Sequence, residues 1–262
     1  MKKLSYILAL SIFVLSSCQF FAPETQTNTS GGKNPDGTVV KKTNFNNDPS
    51  APVQWEVTYK LVDDGPALKH GLAKRYYKTG KLAETFTYVN NKKEGLRTTY
   101  HGNGKVYKEQ MYKNNLLDGI CKRYDRDGNM VAEYPYKAGL PGVGLVEYTN
   151  LGVKRDAPVL SIKKQDNLRT KGNYIITCSL TGENADRVKS VDFYHGQLIE
   201  GKYYHKNLTP LRPISDTKGQ LTINVPRGSS LNKTLNFVAV AKTHDGLLYI
   251  LQKKVALDVR GV

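Results

Sequence analysis

The chain has 262 residues, with 39 Lys plus Arg against 23 Asp plus Glu, a formal net charge of +16 and 17 tyrosines. That length holds one or two domains. A basic balance suits anionic lipid, lipopolysaccharide or acidic glycan as partners, and it equally reads as solvated surface lysines. It is spread along the chain, however: residues 71–155 carry 16 basic and 8 acidic residues, and residues 156–262 carry 16 and 9. Nucleic-acid binding needs a concentrated basic face and is excluded on that ground.

Lys2 and Lys3 precede an almost wholly apolar run, 4–14, followed by Leu15-Ser16-Ser17-Cys18. A basic start, a short apolar run and small residues before a cut describe a secretory signal. The run falls short of the about 20 residues that span a bilayer. Its last four residues resemble the lipobox of bacterial lipoproteins. That resemblance implies that residues 1–17 are removed as a signal peptide and that Cys18 carries a diacylglyceryl and palmitate-type anchor. Two or more acyl chains hold a protein stably at a membrane. Gln19 follows the cysteine in place of Asp, which by Gram-negative sorting logic implies the outer membrane. The single acid nearby, Glu24, implies its periplasmic face over the cell surface.

Residues 18–52 read as a lipidated flexible tether. From 24 onward the stretch is rich in Asn, Thr, Gly, Pro and Ser, and such a segment buries too little apolar surface to offset its ordering entropy. About 30 residues of random coil span roughly 30 Å. Trp55–Val62 then alternates as a leading strand, with 63–70 as a loop.

From residue 71 a 24-residue period sets in. Gly71, Gly95 and Gly119 are followed at plus five by Tyr76, Tyr100 and Tyr124, at plus nine by Gly80, Gly104 and Gly128, and at plus seventeen by Tyr88, Tyr112 and Tyr136. Each unit reads as a hairpin. Lys78–Lys81, Asn103–Lys105 and Asp127–Asn129 are the tight turns, where Asn-Gly and Asp-Gly supply positive φ. Asn90–Gly95 and Asn114–Gly119 are the longer ones. Side chains two apart on a strand share a face. Leu72, Leu96 and Ile120, the plus-five tyrosines, Leu82, Val106 and Met130, and the plus-seventeen tyrosines are therefore expected to line one buried face. Arg75, Arg97, Thr85, Glu109 and Glu133 are expected on the solvated face. A degraded fourth unit places Val143, Tyr148 and Gly152 in phase. The nearby run of glycines from Gly139 to Gly144 lacks a strand–loop–helix setting and reads as a turn, not a phosphate loop.

The strand Tyr, the Asn/Asp-Gly-Lys turn, "Tyr-x-Asn-Asn" (Tyr112–Asn115) and the glycine opening the next unit resemble MORN-type repeats of the YwqK-like antitoxin family. Asn91 and Asn115 depart from it, standing where that family often has Gly. The resemblance covers about residues 54–155 and implies a single-layer antiparallel meander. It implies little about activity, and an exported lipoprotein does not fit a cytoplasmic antitoxin role.

Beyond residue 156 the period ends. Alternating segments at Pro158–Lys163, Asn173–Leu180, Val188–His195, Gln220–Val225, Leu235–Thr243 and Leu247–Leu257 predict a β-sandwich. Residues 189–196 and 237–246 resemble strands C and F–G of bacterial Ig-like domains, and an insertion at 201–215 departs from that pattern. The organisation is thus all-β: signal peptide 1–17, tether 18–52, repeat sheet 53–155 and Ig-like sandwich 156–262.

The chain shows little chemistry. Its five histidines (70, 101, 195, 205, 244) form no two-His motif, and no nucleophile motif accompanies them. Asp63-Asp64 lies in a loop. Asp125-Arg-Asp-Gly128 lacks the ligands of a calcium loop and sits in a repeat turn. Cys121 and Cys178 read as buried free thiols, since they fall in different domains. No catalytic residue, metal or cofactor is expected. Tyr203, Tyr204, His205 and Arg212 in the insertion are the ligand-binding candidates. The expected function is a non-enzymatic, membrane-anchored docking module for an envelope protein or glycan. The alternatives are an electrostatic binder of anionic envelope polymer or lipid, and an enzyme with a site near 195–215.

Overall fold

A computed structural model describes residues 33–63 and 65–261. The signal segment 1–17 and Cys18 lie outside them. Strands β1 (Thr38–Asn44), β2 (Val53–Lys60), β3 (Leu68–Tyr76), β4 (Leu82–Val89), β5 (Lys92–Tyr100), β6 (Val106–Lys113), β7 (Leu116–Leu117), β8 (Gly119–Tyr124), β9 (Met130–Lys137), β10 (Leu140–Pro141) and β11 (Val146–Glu147) form one antiparallel meander. Each of β2 to β5 lies beside its sequence neighbours, and β7 and β8 both lie against β6 with β9 beside β8, as hairpin repeats require.

The sheet begins earlier than expected. Thr38–Asn44 pairs with β2 in register Thr38–Lys60 through Thr43–Trp55, so part of the expected tether is an edge strand. The composition of 24–52 as a whole hid a short β-branched run, Thr38-Val39-Val40, that favours extended backbone.

The turns are also the reverse of the expectation. The tight ones are Asn90-Asn91 and Asn114-Asn115, two-residue loops with φ of 47° and 67°, and of 49° and 72°. Positive φ at both central residues is the type I′ geometry that matches strand twist. Asparagine tolerates it, and here it does more than glycine could. The Asn91 and Asn115 side chains accept the Lys69 and Lys93 amides at 2.8 and 2.7 Å, while their own amides donate back to the same residues. The glycine turns are wider: Tyr77–Lys81, His101–Lys105 and Asp125–Asn129 each close with two backbone bonds, and Thr149–Val153 repeats the pattern in the fourth unit. Asp125 accepts the amides of Asp127 and Asn129, so its carboxylate serves the turn.

The face assignment needs correction. Gly71, Ala73 and Arg75 pair with Tyr88, Phe86 and Glu84, and Gly95 and Gly119 pair with Tyr112 and Tyr136. The plus-seventeen tyrosines thus share a face with Arg75 and Arg97. The plus-one and plus-five residues lie on the other face, where Leu72, Leu96 and Ile120 are 46–50% exposed. A bulge before each turn sets Leu82, Val106 and Met130 opposite Tyr76, Tyr100 and Tyr124, which breaks the count of two along the return strand. With no second layer over most of the sheet, the repeat tyrosines are half-buried on both faces instead of forming one buried ladder.

The plus-five tyrosines make a ladder of their own. Tyr124 and Tyr148 each donate to a glutamate fifteen residues earlier, Glu109 and Glu133, at 2.8 and 2.9 Å. Tyr76 donates to Glu56 at 2.9 Å across the longer first loop. Burial, then the bond to the carboxylate, pushes Tyr76 and Tyr124 up to about 12. Tyr100 meets Thr85 at the equivalent place, diagonal to the Thr85–Thr98 pair. Thr85→Glu is therefore expected to add about 1 kcal/mol of stability. Denaturant midpoints should rise for Thr85→Glu and return to the parent value when Tyr100→Phe is added.

Strands β12 (Val159–Asn167), β13 (Asn173–Thr181), β14 (Val188–His195), β15 (Thr209–Pro210), β16 (Arg212–Ser215), β17 (Lys218–Asn224), β18 (Ser230–Thr243) and β19 (Leu248–Arg260) form two four-stranded sheets, β12-β13-β17-β16 and β15-β14-β18-β19. Read as A-B-E-D against C′-C-F-G, this pairing order is that of immunoglobulin-type sandwiches. The insertion supplies two short edge strands, β15 and β16, that sequence alternation did not mark. Phe237, Ile176, Cys178 and Leu257 centre the core between the sheets. Cys121 and Cys178 are both buried and unbridged, and burial pushes their thiols up to about 11 and about 12, away from reactivity.

Candidate functional site

The sandwich rests on the end of the repeat sheet. Ala132 from β9 and Leu145 share a buried cluster with Ala241 of β18, Leu247 of the turn after it and Tyr249 of β19, and Tyr134 packs against it. Glu147, 4% exposed, accepts Tyr249 Oη at 2.6 Å and faces Arg187 Nη2 at 3.5 Å. Lys137 pairs with Glu200 at 2.7 Å. Val143 and Tyr204 donate backbone bonds across the join, to Lys202 and Pro141.

The four expected ligand residues do not converge on one site. Tyr203 bridges to Gly142, whose missing Cβ leaves room for the ring; a Cβ there would meet it at 3.0 Å. Tyr204 packs on Tyr194, with ring centroids 5.6 Å apart. His205 spends its ring on the Gln197 carbonyl and the Asn207 amide. Arg212 is exposed on β16 of the other sheet, opposite Gln220. The insertion therefore joins the two halves. His195 sits in β14 between Thr209 and Phe237, and burial, then Lys233, lowers its pKa. Among the described residues, no group of three His, Cys, Asp or Glu is placed to hold a metal, and no helix is long and apolar enough to cross a membrane.

The open part of the other repeat face carries a regular pattern instead. Crossing from β1 to β6, one residue per strand, lie Lys41, Tyr59, Lys69, Tyr88, Lys93 and Tyr112. Tyr59 pairs with Lys69 and Tyr88 with Lys93. Lys41, Lys69 and Lys93 place their ammonium groups 5.1, 5.3 and 5.6 Å from the centres of the Tyr59, Tyr88 and Tyr112 rings, and Lys93 also lies 4.8 Å from Phe86. Such cation–π contacts contribute about 0.5–1 kcal/mol at exposed sites. Among the described residues none of these three lysines joins an ion pair.

A second row runs beside it. Trp55 lies under Arg75, with 5.8 Å between guanidinium carbon and ring centre. Arg75 and Arg97 both pair with Glu84, at 3.2 and 2.9 Å, and Arg97 donates on to Gln110 at 2.8 Å. Glu84 is buried; burial raises its pKa, but the two arginines outweigh that and hold it below the usual carboxylate range. Both rows lead to a cleft of about 220 Å³ where the sandwich meets the sheet. Lys108, Gln110, Leu117, Arg123, Tyr134 and Tyr136 line its sheet side, and Asp245 to Leu248 of the β18–β19 turn line the other. Arg123 donates to the Asp245 carbonyl at 3.2 Å.

The lysine row was missed in the sequence, although its signal was present. Lys69 and Lys93 stand 24 apart, two residues before each repeat glycine, and the third position is Leu117 at the cleft.

A hairpin-repeat sheet with a patterned open face, closed at one end by a sandwich, defines a β-repeat protein. The MORN repeat variant matches residues 69–90, 93–114 and 117–138, one hairpin unit each, so the chain carries three such repeats in tandem. A comparison with curated proteins finds no match.

Proposed function

We propose that this protein is a non-enzymatic docking module of the bacterial envelope, anchored through lipid on Cys18 and taking a protein or glycan partner on its repeat sheet. The observation that carries this reading is the open face on which lysines and tyrosines alternate across six consecutive strands. Aromatic rings held at fixed spacing supply contact area with little ordering cost, and unpaired cations supply attraction and orientation. The sandwich, Ig-like in its strand order, caps the sheet and keeps its last repeat in place. The leader and the Gln19 that follows the cysteine favour the outer membrane, and the single acid nearby, Glu24, favours its periplasmic face.

Anchoring is tested by fractionation. The parent chain is expected in the membrane pellet after high-salt washing, and Cys18→Ala in the soluble fraction. A Cys18→Ala protein that still pellets would sink the anchor. Docking is tested by capture from detergent-solubilised envelopes with a tagged full chain, compared with Lys69→Ala/Lys93→Ala. Equal capture by both would place docking elsewhere. A second reading, an electrostatic binder of anionic envelope polymer, is favoured by the absence of carboxylate partners for the row lysines among the described residues.

A further inference from the structure

We infer that the lysine–tyrosine row is a binding site for a linear acidic polysaccharide, laid across the strands with one end in the cleft beside the sandwich. This deepens the docking reading above and rests on it.

The spacing comes first. Neighbouring strands lie about 4.8 Å apart, so like residues two strands apart, Lys69 and Lys93 or Tyr88 and Tyr112, recur roughly every 10 Å. A regular array of this kind suits a ligand that repeats, in contrast to a folded protein surface. A polymer of ring units carrying one acid each meets both halves of the pattern. Its ring faces lie against tyrosines, and its carboxylates reach the ammonium groups between them.

Charge comes second. The same face holds Lys41, Lys69, Arg75, Lys93 and Arg97 in its open part. Its one acid there, Glu84, is buried and already held by two arginines. Lys93 is half-buried, and burial, then repulsion from Arg97 and Lys69, lowers its pKa. An anion placed between Lys69 and Lys93 relieves that repulsion, whereas a neutral ligand leaves it standing.

The end of the row comes third. The period would put a third lysine where Leu117 stands, and there the row enters the cleft. At about 220 Å³ the cleft is smaller than the roughly 300–1,000 Å³ of drug-sized sites. It therefore holds one sugar unit and no more, with Lys108 and Arg123 facing it and the Tyr136 ring at its wall. The Asp245 turn closes the far side and stops the chain from running on.

The test is titration calorimetry of the full-length Cys18→Ala chain, which lacks the proposed anchor and needs no detergent, with polygalacturonate oligomers. Dextran oligomers of equal length serve as the neutral control, and phosphatidylglycerol vesicles as an anionic surface without sugar. Polygalacturonate is expected to bind, dextran not, and vesicles at least tenfold more weakly than polygalacturonate. Lys69→Ala/Lys93→Ala should weaken polygalacturonate at least tenfold. Lys60→Ala/Lys113→Ala, which removes the same charge from exposed positions on the opposite face, should change it less than twofold. If the alanine pair unfolds, Lys69→Gln/Lys93→Gln retains most of the stem length and replaces it in the same comparison. Equal weakening by both pairs would reduce the effect to net charge and overturn the site. Binding of dextran, or of vesicles in place of polygalacturonate, overturns the glycan. If the glycan fails while envelope capture still depends on Lys69 and Lys93, the docking reading survives; if that capture fails too, both fall.

Discussion

Glu84→Ala is expected to lower unfolding stability by about 3 kcal/mol, the low end of the cost of removing one member of a buried ion pair. Glu84 is 4% exposed and accepts from Arg75 and Arg97 at 3.2 and 2.9 Å. Alanine would leave two guanidinium groups facing each other across a strand with nothing between them. Both arginines are more exposed than Glu84, so water relieves part of the strain, which is why the low end applies. The effect should be read from denaturant midpoints at neutral pH, where a change below 1 kcal/mol would mean that water replaces the carboxylate at no cost.

The same residue sets an acid limb. Its pKa is depressed in the folded state relative to the ordinary 4.5. A depressed carboxylate contributes stability that is complete above its unfolded pKa and is lost as pH falls through the lower folded value. The parent protein should therefore lose stability on acidification below about pH 4.5. Glu84→Gln should lose less over that range while starting lower. Glu56 leaves a residual slope: burial opposes its ionisation, but Lys42 and Tyr76 hold its pKa down.

The second large effect is expected at the junction. Glu147 belongs to the last strand of the repeat sheet, yet its carboxylate is shared between Tyr249 and Arg187 of the sandwich. Glu147→Ala leaves a buried hydroxyl and a guanidinium without a partner, and Arg187 Nε already lacks one. Hydrogen bonds to charged groups contribute about 1.5–3 kcal/mol each, and stranding their partners adds desolvation cost. A loss of about 3 kcal/mol is expected, concentrated on the coupling of the two halves. Calorimetry should show one thermal transition in the parent and two in Glu147→Ala. Tyr249→Phe should cost less, because Arg187 remains beside the carboxylate. A single, merely shifted transition in Glu147→Ala would show that the apolar cluster of Ala132, Leu145, Leu247 and Tyr249 is enough to couple them.

Local signals were readable wherever they sat inside one strand or one turn. The glycines at 24-residue intervals marked the hairpins. Six alternating segments marked six of the eight sandwich strands, and residues 189–196 and 237–246 fell largely on the paired strands β14 and β18. The expectation failed where a count along one strand had to cross a bulge. Arg75 and Arg97 moved to the tyrosine face for that reason, and Leu72, Leu96 and Ile120 to the exposed one. It failed again at Asn90-Asn91, because glycine is the usual mark of positive φ and asparagine was read as the looser turn. The ligand candidates at 203–212 are dispersed in the fold, which the sequence did not reveal for a third reason. Clustered Tyr, His and Arg in an insertion look alike whether they face a ligand or a neighbouring sheet.

The sequence by itself determined the repeat period, most of the longer strand positions, the two β architectures and the isolation of two cysteines in separate sheets. These follow from side-chain alternation and from backbone angles that few residues tolerate, both properties of short segments. Only the tertiary structure decided which face each repeat residue occupies, that Glu84 and Glu147 are buried, and that Lys41, Lys69 and Lys93 fall into one row with three tyrosines. Those are consequences of register between strands 15 to 24 residues apart, and at the junction about 100 apart. Pairing, bulges and the seat of the sandwich on β9 set that register together, and no single segment carries it.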